Sequence, residues 1–536
     1  MIGRRSFQKL SLALTATLLA SAAWAQDYDV LIRDGTVYDG SGSKGHKLDI
    51  AIKGDRIAKV GDIPAAATAT KVVDASGKIV APGFIDPHSH AEMGIDTADG
   101  APAKPFLFQG ITTAFLNADG FGPGDLAPQI KTISDLVPGV NVVPMAGHNG
   151  IRTDVMGIAN RKATPAELEK MKALTDKGFS QDGAFGLSTG PFYVPGKYSD
   201  THELVELAKV AAKYPGAFYI SHIRDESSYD VGVVNAIKEL IEVSRQAHLP
   251  GIVTHMKMLG PTVWGKSVEA VATINAARAE GLSIWADQYP YAASGTNLQA
   301  SLVPGWAQEG SAVLGGGSDD LKKRLQNPEQ RALIRKEMIQ NIARRGGANA
   351  LMIRGFDHDP NLVGKRLDEL ARAQLKEPVD VAIEMLMNGG ADVVSFNMNE
   401  KDVEEIMKQS WTMTSTDGGL PKFGQGGGHP RTYGAFPRKI RRYVLDKPVI
   451  TMEHAIRSST GLPAEVFGIK ERGFVKPGYY ADVVVFNPKT IRDVATYENP
   501  HAYSEGMEFV FINGQAALAD GQVTPERHGR VLLRGQ

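Results

Sequence analysis

Cysteine is absent from all 536 residues. Disulfides, thiolate metal ligands and a cysteine nucleophile are excluded at once. An excess of charge of either sign is also missing. The chain has 59 Lys and Arg against 60 Asp and Glu, a formal net charge of -1. That balance offers no electrostatic footprint for nucleic acid or for an acidic membrane surface. The expected partner is a small molecule. Beyond the first 25 residues no apolar run is long enough to span a bilayer. The apolar tail Val531-Leu-Leu533 offers a surface for an interface and by itself sets no oligomeric state.

What is present is ordinary globular composition, 43% hydrophobic and 22% charged. The length exceeds what one small core supports, so a large barrel with a satellite domain is expected. Arg4 and Arg5 precede an apolar stretch from Leu10 to about Ala23, and Ala23-Trp24-Ala25 supplies small residues for cleavage before Gln26. Residues 1–25 therefore read as an export signal. Gly3-Arg4-Arg5-Ser6-Phe7-Gln8-Lys9 resembles a twin-arginine signal, which carries folded proteins to the periplasm or beyond.

Between Asp29 and Val60 apolar residues alternate with polar ones, as in half-buried antiparallel strands. Ala481–Phe486 and Phe509–Gly514 repeat that texture. Residues 26–80 and 456–536 are thus expected to form a small β-sandwich domain from both ends of the chain. In the centre, Phe218–His222, Gly251–His255 and Leu282–Asp287 are short apolar runs with polar ends, stepping by 33 and 32 residues. Helical patterns lie between them, at Val231–His248 and Lys266–Gly281. This is the βα unit of a parallel sheet, so residues 81–455 are expected to form a (β/α)8 TIM-type barrel. An insertion of about 310–399, with helices at Lys322–Arg344 and Pro378–Met387, precedes the last strand at Ser410–Asp417.

Pro82-Gly-Phe-Ile-Asp-Pro-His88-Ser-His90 is an apolar strand ending in His-x-His. Residues two apart in a strand share a side, so both imidazoles can reach one divalent ion. His222 and His255 sit at the ends of expected barrel strands, where barrels gather their catalytic groups. Asp417 ends the last one. Any of these alone is a common core, surface or turn residue; together on one barrel they point to a metal centre. His46, His248, His358, His501 and His528 lie in polar or loop contexts, His202 near a helix start, and His148 is assigned no role.

The ordered motifs APGFIDPHSH (81–90), GHNGIR (147–152), GAFGLSTGPFY (183–193), SHIRDE (221–226), THMK (254–257), ADQYPYAASGT (286–296), TSTDG (414–418) and GGHPRTYGAFPR (427–438) resemble the amidohydrolase superfamily. They resemble in particular its N-acyl-D-amino-acid deacylase (D-aminoacylase) branch, from about Asp29 to the C-terminus. The resemblance implies that His88, His90 and Asp417 hold one metal and that His222 and His255 contribute to a second, with one or two Zn2+ or another divalent ion. Where the family has cysteine, after its Gly-Val/Ile-Thr-Thr run, this chain has Asp119. A carboxylate there can bind or bridge, and it suits harder ions than a thiolate does. The resemblance also implies that Tyr193, Lys257, Ser294 and Arg431 hold a substrate carboxylate.

The implied activity is hydrolysis of the amide of an N-acyl-D-amino acid, with Asp417 as catalytic acid and base. Two other readings stand beside it. One is a hydrolase of cyclic amides, dipeptides or lactones on the same scaffold; the other is a non-catalytic binding protein, which usually loses ligands that this chain retains.

Overall fold

The computed structural model describes residues 26–310, 319–425 and 427–535. The segment read as an export signal lies outside them. Tyr28–Val37, His46–Lys53 and Arg56–Gly61 form an antiparallel meander, and Ala69–Asp74 and Ile79–Pro82 both pair parallel to its first strand. Val483–Phe486 docks antiparallel on Ile79–Pro82 and leads to Met507–Ile512, Gln515–Ala519 and Gln522–Val523. The result is one nine-stranded sheet from both ends of the chain.

Strand alternation assigns its faces. Val483 and Val485 join Ile32, Ile50 and Phe511 in the sheet's own core. Val484 and Phe486 turn the other way and pack on the barrel with Val510 and Ile512. Lys71 Nζ lies 4.8 Å over the Phe509 ring, so distant strands face one another and the sheet folds into two layers.

The barrel begins immediately after this sheet. Its strands are Phe84–Asp86, Ile111–Leu116, Asn141–Pro144 continued by Ala146–Gly147, Leu187–Thr189, Tyr219–Ser221, Gly251–Val253, Ile284–Gln288 and Thr412–Thr414. All pair in parallel. Closure comes from backbone beyond the first and last strands. Asp417 N–H donates to His88 O, His90 N–H donates to Gly418 O, each at 2.9 Å, and His90 bridges to Gly419. Ile85, Phe115, Val143, Ile220, Ile252 and Met413 form one cluster. Residues on non-neighbouring strands can meet like this only inside a barrel.

Outside, Ile237, Leu240, Ile241 and Ser244 of helix Val233–Ala247 recur at helical spacing and are buried. Among the described residues no helix is long and apolar enough to cross a membrane.

The structure differs from the sequence reading in three places. The excursion before the last barrel strand starts at Ser294 rather than near 310. Ser294–Asn297, Asp392–Ser395 and Leu351–Gly355 form a separate antiparallel sheet, which with its helices has its own core around Leu298, Leu325, Met338, Ile353, Leu367 and Leu386. Ser294-Gly-Thr-Asn297 has no apolar alternation, which is why no strand is legible there.

The long charged helix is two helices, Asp319–Gln326 and Pro328–Arg344. Asn327 Oδ1 caps the second by accepting from Glu329 and Gln330 N–H, and Pro328 cannot extend the first. Finally, the segment after residue 456 begins as helix rather than strand, with Gly461–Val466 off the sheet, and meets the sheet only from Val475 to Tyr480. Leu462, Phe467 and Ile469 pack into the barrel-interior cluster, together with Leu532 of the apolar tail, whose N–H donates to Val142 O at 2.8 Å. That tail is half-buried against its own barrel.

Candidate active site

Every sequence-predicted metal ligand follows the C-terminal end of a barrel strand. His88 and His90 follow the first strand and Asp119 the second, while His222, His255 and Asp417 follow the fifth, sixth and eighth. The other five gather around Asp119. Its Oδ1 lies 3.3 Å from His88 Nε2, and its Oδ2 lies 3.5 Å from His90 Nε2, 3.4 Å from His222 Nδ1 and 3.6 Å from His255 Nε2. Asp417 Oδ1 sits 3.2 Å from His90 Nε2 and 3.8 Å from His88 Nε2. Asp119, His255 and Asp417 all hold positive φ, at 57°, 31° and 49°. Such a conformation is uncommon outside glycine, and strain of this kind clusters at functional sites.

The donor set fits a metal. Both ring nitrogens of His88 and of His222 and one oxygen of Asp119 are buried without a hydrogen-bond partner. Orphaned buried polar atoms in that number are costly unless an ion joins them. Ligand atoms of His88, Asp119, His255 and Asp417 lie within 4.8 Å of one another, as do those of His222, Glu226 and His255.

Electrostatics point the same way. Burial works to raise Asp119, but His88, His255 and His222 hold its carboxyl well below the usual carboxylate range. Burial opposes charge on His255 and so does Lys257, yet Glu226, Asp119 and Asp417 push it up to about 10. The carboxylates of Asp119, Glu226 and Asp417 therefore favour positive charge among the imidazoles.

The amidohydrolase family model matches residues 329–517. D-aminoacylase from Alcaligenes xylosoxydans xylosoxydans is 32% identical to this chain over 95% of its residues and 98% of that protein. This chain belongs to the D-aminoacylase family of amidohydrolases. A solved structure describing the binuclear metal centre of D-aminoacylase superposes with a TM-score of 0.79 at 32% identity, covering 95% of this chain and all of that one. N-acyl-D-glutamate deacylase from Bordetella bronchiseptica, solved with zinc and a phosphonate mimic of the tetrahedral intermediate, matches with the same TM-score at 29% identity, over 94% of this chain and 99% of that one.

The four residues for which the resemblance implies a substrate role also line one cavity here. Arg431 opens helix Arg431–Ile440, and its Nη1 lies 2.6 Å from Asp417 Oδ2. Arg431 and neighbouring histidines outweigh the burial that would raise Asp417, holding it far down as a carboxylate. The Tyr193 ring packs against His222, and burial raises its phenol, which stays a proton donor. Ser294 Oγ donates to Asn397 Oδ1 at 3.0 Å. Lys257 Nζ is already engaged, 2.6 Å from Glu226 Oε1 and 2.7 Å from His255 Nδ1. A cleft of about 420 Å³ opens over His90, Asp417 and Arg431.

Two groups, Glu226 and His429, escape the sequence reading, and a third, Asp287, is read there as a strand end without a site role. Glu226 stands 3.0 Å from His255 Nδ1; its only signal is a place four residues after His222 in SHIRDE. Asp287 Oδ1 accepts from His255 N–H at 2.9 Å and Ser415 Oγ at 2.6 Å, fixing two strand ends to each other. His429 accepts from Arg431 N–H at Nδ1 and faces Ala293 O at 3.0 Å through Nε2, so it is neutral and seats the Arg431 helix. His148 lies elsewhere, paired with Glu203 at 2.8 Å beside Arg152, a buried structural group.

Proposed function

We propose that this protein is a metal-dependent hydrolase that cleaves the amide bond of N-acyl-D-amino acids, releasing a carboxylate and a free D-amino acid. The observation that carries the reading is the convergence of four histidines on Asp119, with Asp417 held beside them under Arg431. His88, His90, Asp119, His222, His255 and Asp417 would hold one or two divalent ions, zinc or a harder metal, which would polarise the scissile carbonyl and acidify a nearby water.

Asp417 takes the water's proton and returns it to the leaving amine. For Oδ2 to accept that proton, Arg431 must leave it. The substrate's α-carboxylate offers the guanidinium a new bidentate partner, so binding frees the base. Tyr193 and Ser294 donate to the same carboxylate. Lys257, tied to Glu226, holds the imidazole of His255 in place.

The test is elemental analysis of the purified mature protein combined with assays on N-acetyl-D- and N-acetyl-L-amino acids. Bound metal with release of D-amino acids alone is the expected result. Bound metal with no release would turn the reading toward cyclic amides, dipeptides or lactones. Failure to bind metal would leave a non-catalytic protein.

We also propose export to the periplasm by the twin-arginine route, supported by the pattern of residues 1–25. Cell fractionation of the wild type and an Arg4→Lys/Arg5→Lys variant tests it; retention of the wild type in the cytoplasm would overturn it.

A further inference from the structure

We propose that Arg345 reads a second carboxylate on the substrate, so that this enzyme prefers acylated D-amino acids carrying an acidic group besides the α-carboxylate. The inference rests on the function proposed above and names its substrate class more closely.

Next to the cleft, sharing Tyr193, Asp417 and Arg431 with it, a small cavity of about 20 Å³ is lined by His222, Glu226, Lys257, Ser294, Arg345 and Arg431. Two of its three cations are balanced within the chain, Lys257 by Glu226 and Arg431 by Asp417, each at 2.6 Å. Arg345 is not. It is 1% exposed, and its hydrogen bonds all go to neutral oxygens: Nε donates to Tyr229 Oη at 2.8 Å and Ser301 O at 3.3 Å, and Nη1 to Ser395 Oγ at 2.9 Å. Among the described residues no carboxylate forms an ion pair with Arg345; Nε and Nη1 donate its hydrogen bonds, and its guanidinium carbon lies 6.0 Å from the centre of the Tyr229 ring. A buried guanidinium without a counter-ion is unfavourable unless an anion arrives to meet it.

Its neighbours add to the surplus of donors. Ser395 pairs with Ser294 across the insertion's sheet, Ser294 donates to Asn397, and Asn397 Nδ2 is buried without a partner. Arg431, against Asp417, is placed for the α-carboxylate next to the scissile amide. Arg345 enters from a different element, the insertion, and remains for an acid further along the molecule. That acid is carried either by the amino-acid side chain or by the acyl group.

Two matched pairs separate these sources: N-acetyl-D-glutamate against N-acetyl-D-glutamine, and N-succinyl-D-leucine against N-butyryl-D-leucine. The metal-loaded protein is assayed on all four, and calorimetry measures their binding. We expect the acidic member of one pair to lead its neutral partner at least tenfold in kcat/KM, mostly through KM. Arg345→Gln should lower that acidic substrate about a hundredfold and leave its neutral partner nearly unchanged, while Arg345→Lys retains part of the preference.

Equal kcat/KM and equal binding within both pairs would overturn the inference, as would a preference that survives Arg345→Gln. If Arg345→Gln fails to fold, the wild-type ratios and the Lys variant decide. If none of the four is hydrolysed, the deacylase reading fails, and the calorimetric preference for an acid still decides the role of Arg345.

Discussion

At the scale of single residues, Asp119 carries the most. It stands where the family resemblance implies a cysteine, and its two carboxylate oxygens face four imidazoles. Removing it leaves those imidazoles without a common partner. Asp119→Ala should therefore lose bound metal and lose activity beyond the roughly 10–100-fold typical of groups one step removed from a metal. Metal analysis alongside kcat/KM checks this; full occupancy in the variant would make Asp119 a turn residue.

Lys439 permits a prediction about pH. It is buried between Thr414 Oγ1 at 2.7 Å and Ser458 Oγ at 2.8 Å, and burial pulls its ammonium from 10.5 down to about 7. Between those values the unfolded chain binds a proton that the folded chain does not, so this group's contribution improves as pH rises from about 7 to about 10. Below 7 the full penalty applies, on the order of 5 kcal/mol. Lys439→Met removes it. Denaturation midpoints should favour the variant most at pH 6, with the difference shrinking toward pH 10; parallel curves would refute the assignment.

At the scale of elements, ligand positions depend on backbone that binds nothing. Gly190 follows the fourth barrel strand, and a Cβ there would stand 2.0 Å from the carbonyl oxygen of Asp119. Gly190→Ala must push the Asp119 turn away. A displacement of about 1 Å is enough to cost about a hundredfold in rate, so metal occupancy and kcat/KM should fall while the circular dichroism spectrum stays that of the wild type. Unchanged occupancy would show that the turn relaxes freely.

Elements also explain what the sequence makes legible. The fifth, sixth and seventh strands stand out because each is an apolar run with a polar end at a regular step, although the ladder itself covers only three to five residues of each. The His-x-His strand, His222, His255 and Asp417 are readable for that reason. The insertion's sheet is not, because Ser294-Gly-Thr-Asn297 is polar and pairs with Asp392–Ser395 almost a hundred residues on. Arg345 and His429 act through such distant pairings, and no local pattern marks them. Neither does the role of residues 456–480, since Leu462 and Phe467 are ordinary apolar positions until the barrel interior receives them.

At the scale of the whole molecule, the metal cluster fastens five of the eight barrel strands: the first, second, fifth, sixth and eighth. The barrel is in turn continuous with the nine-stranded sheet, because Val484 and Phe486 pack into the same core as Phe84 and Phe436. An ion bound by the folded cluster and only weakly by the unfolded chain stabilises by mass action, about 4 kcal/mol at a thousandfold excess over its dissociation constant. Chelation should therefore lower the melting temperature of the entire chain by several degrees, and zinc should restore it in proportion to the logarithm of its concentration. Because no boundary between sheet and barrel is free of shared core, both should melt in one transition, with and without metal. Calorimetry decides both points. A sheet that melts separately would break the link between the two units, and coincident melting of chelated and zinc-loaded protein would mean that the cluster holds no ion.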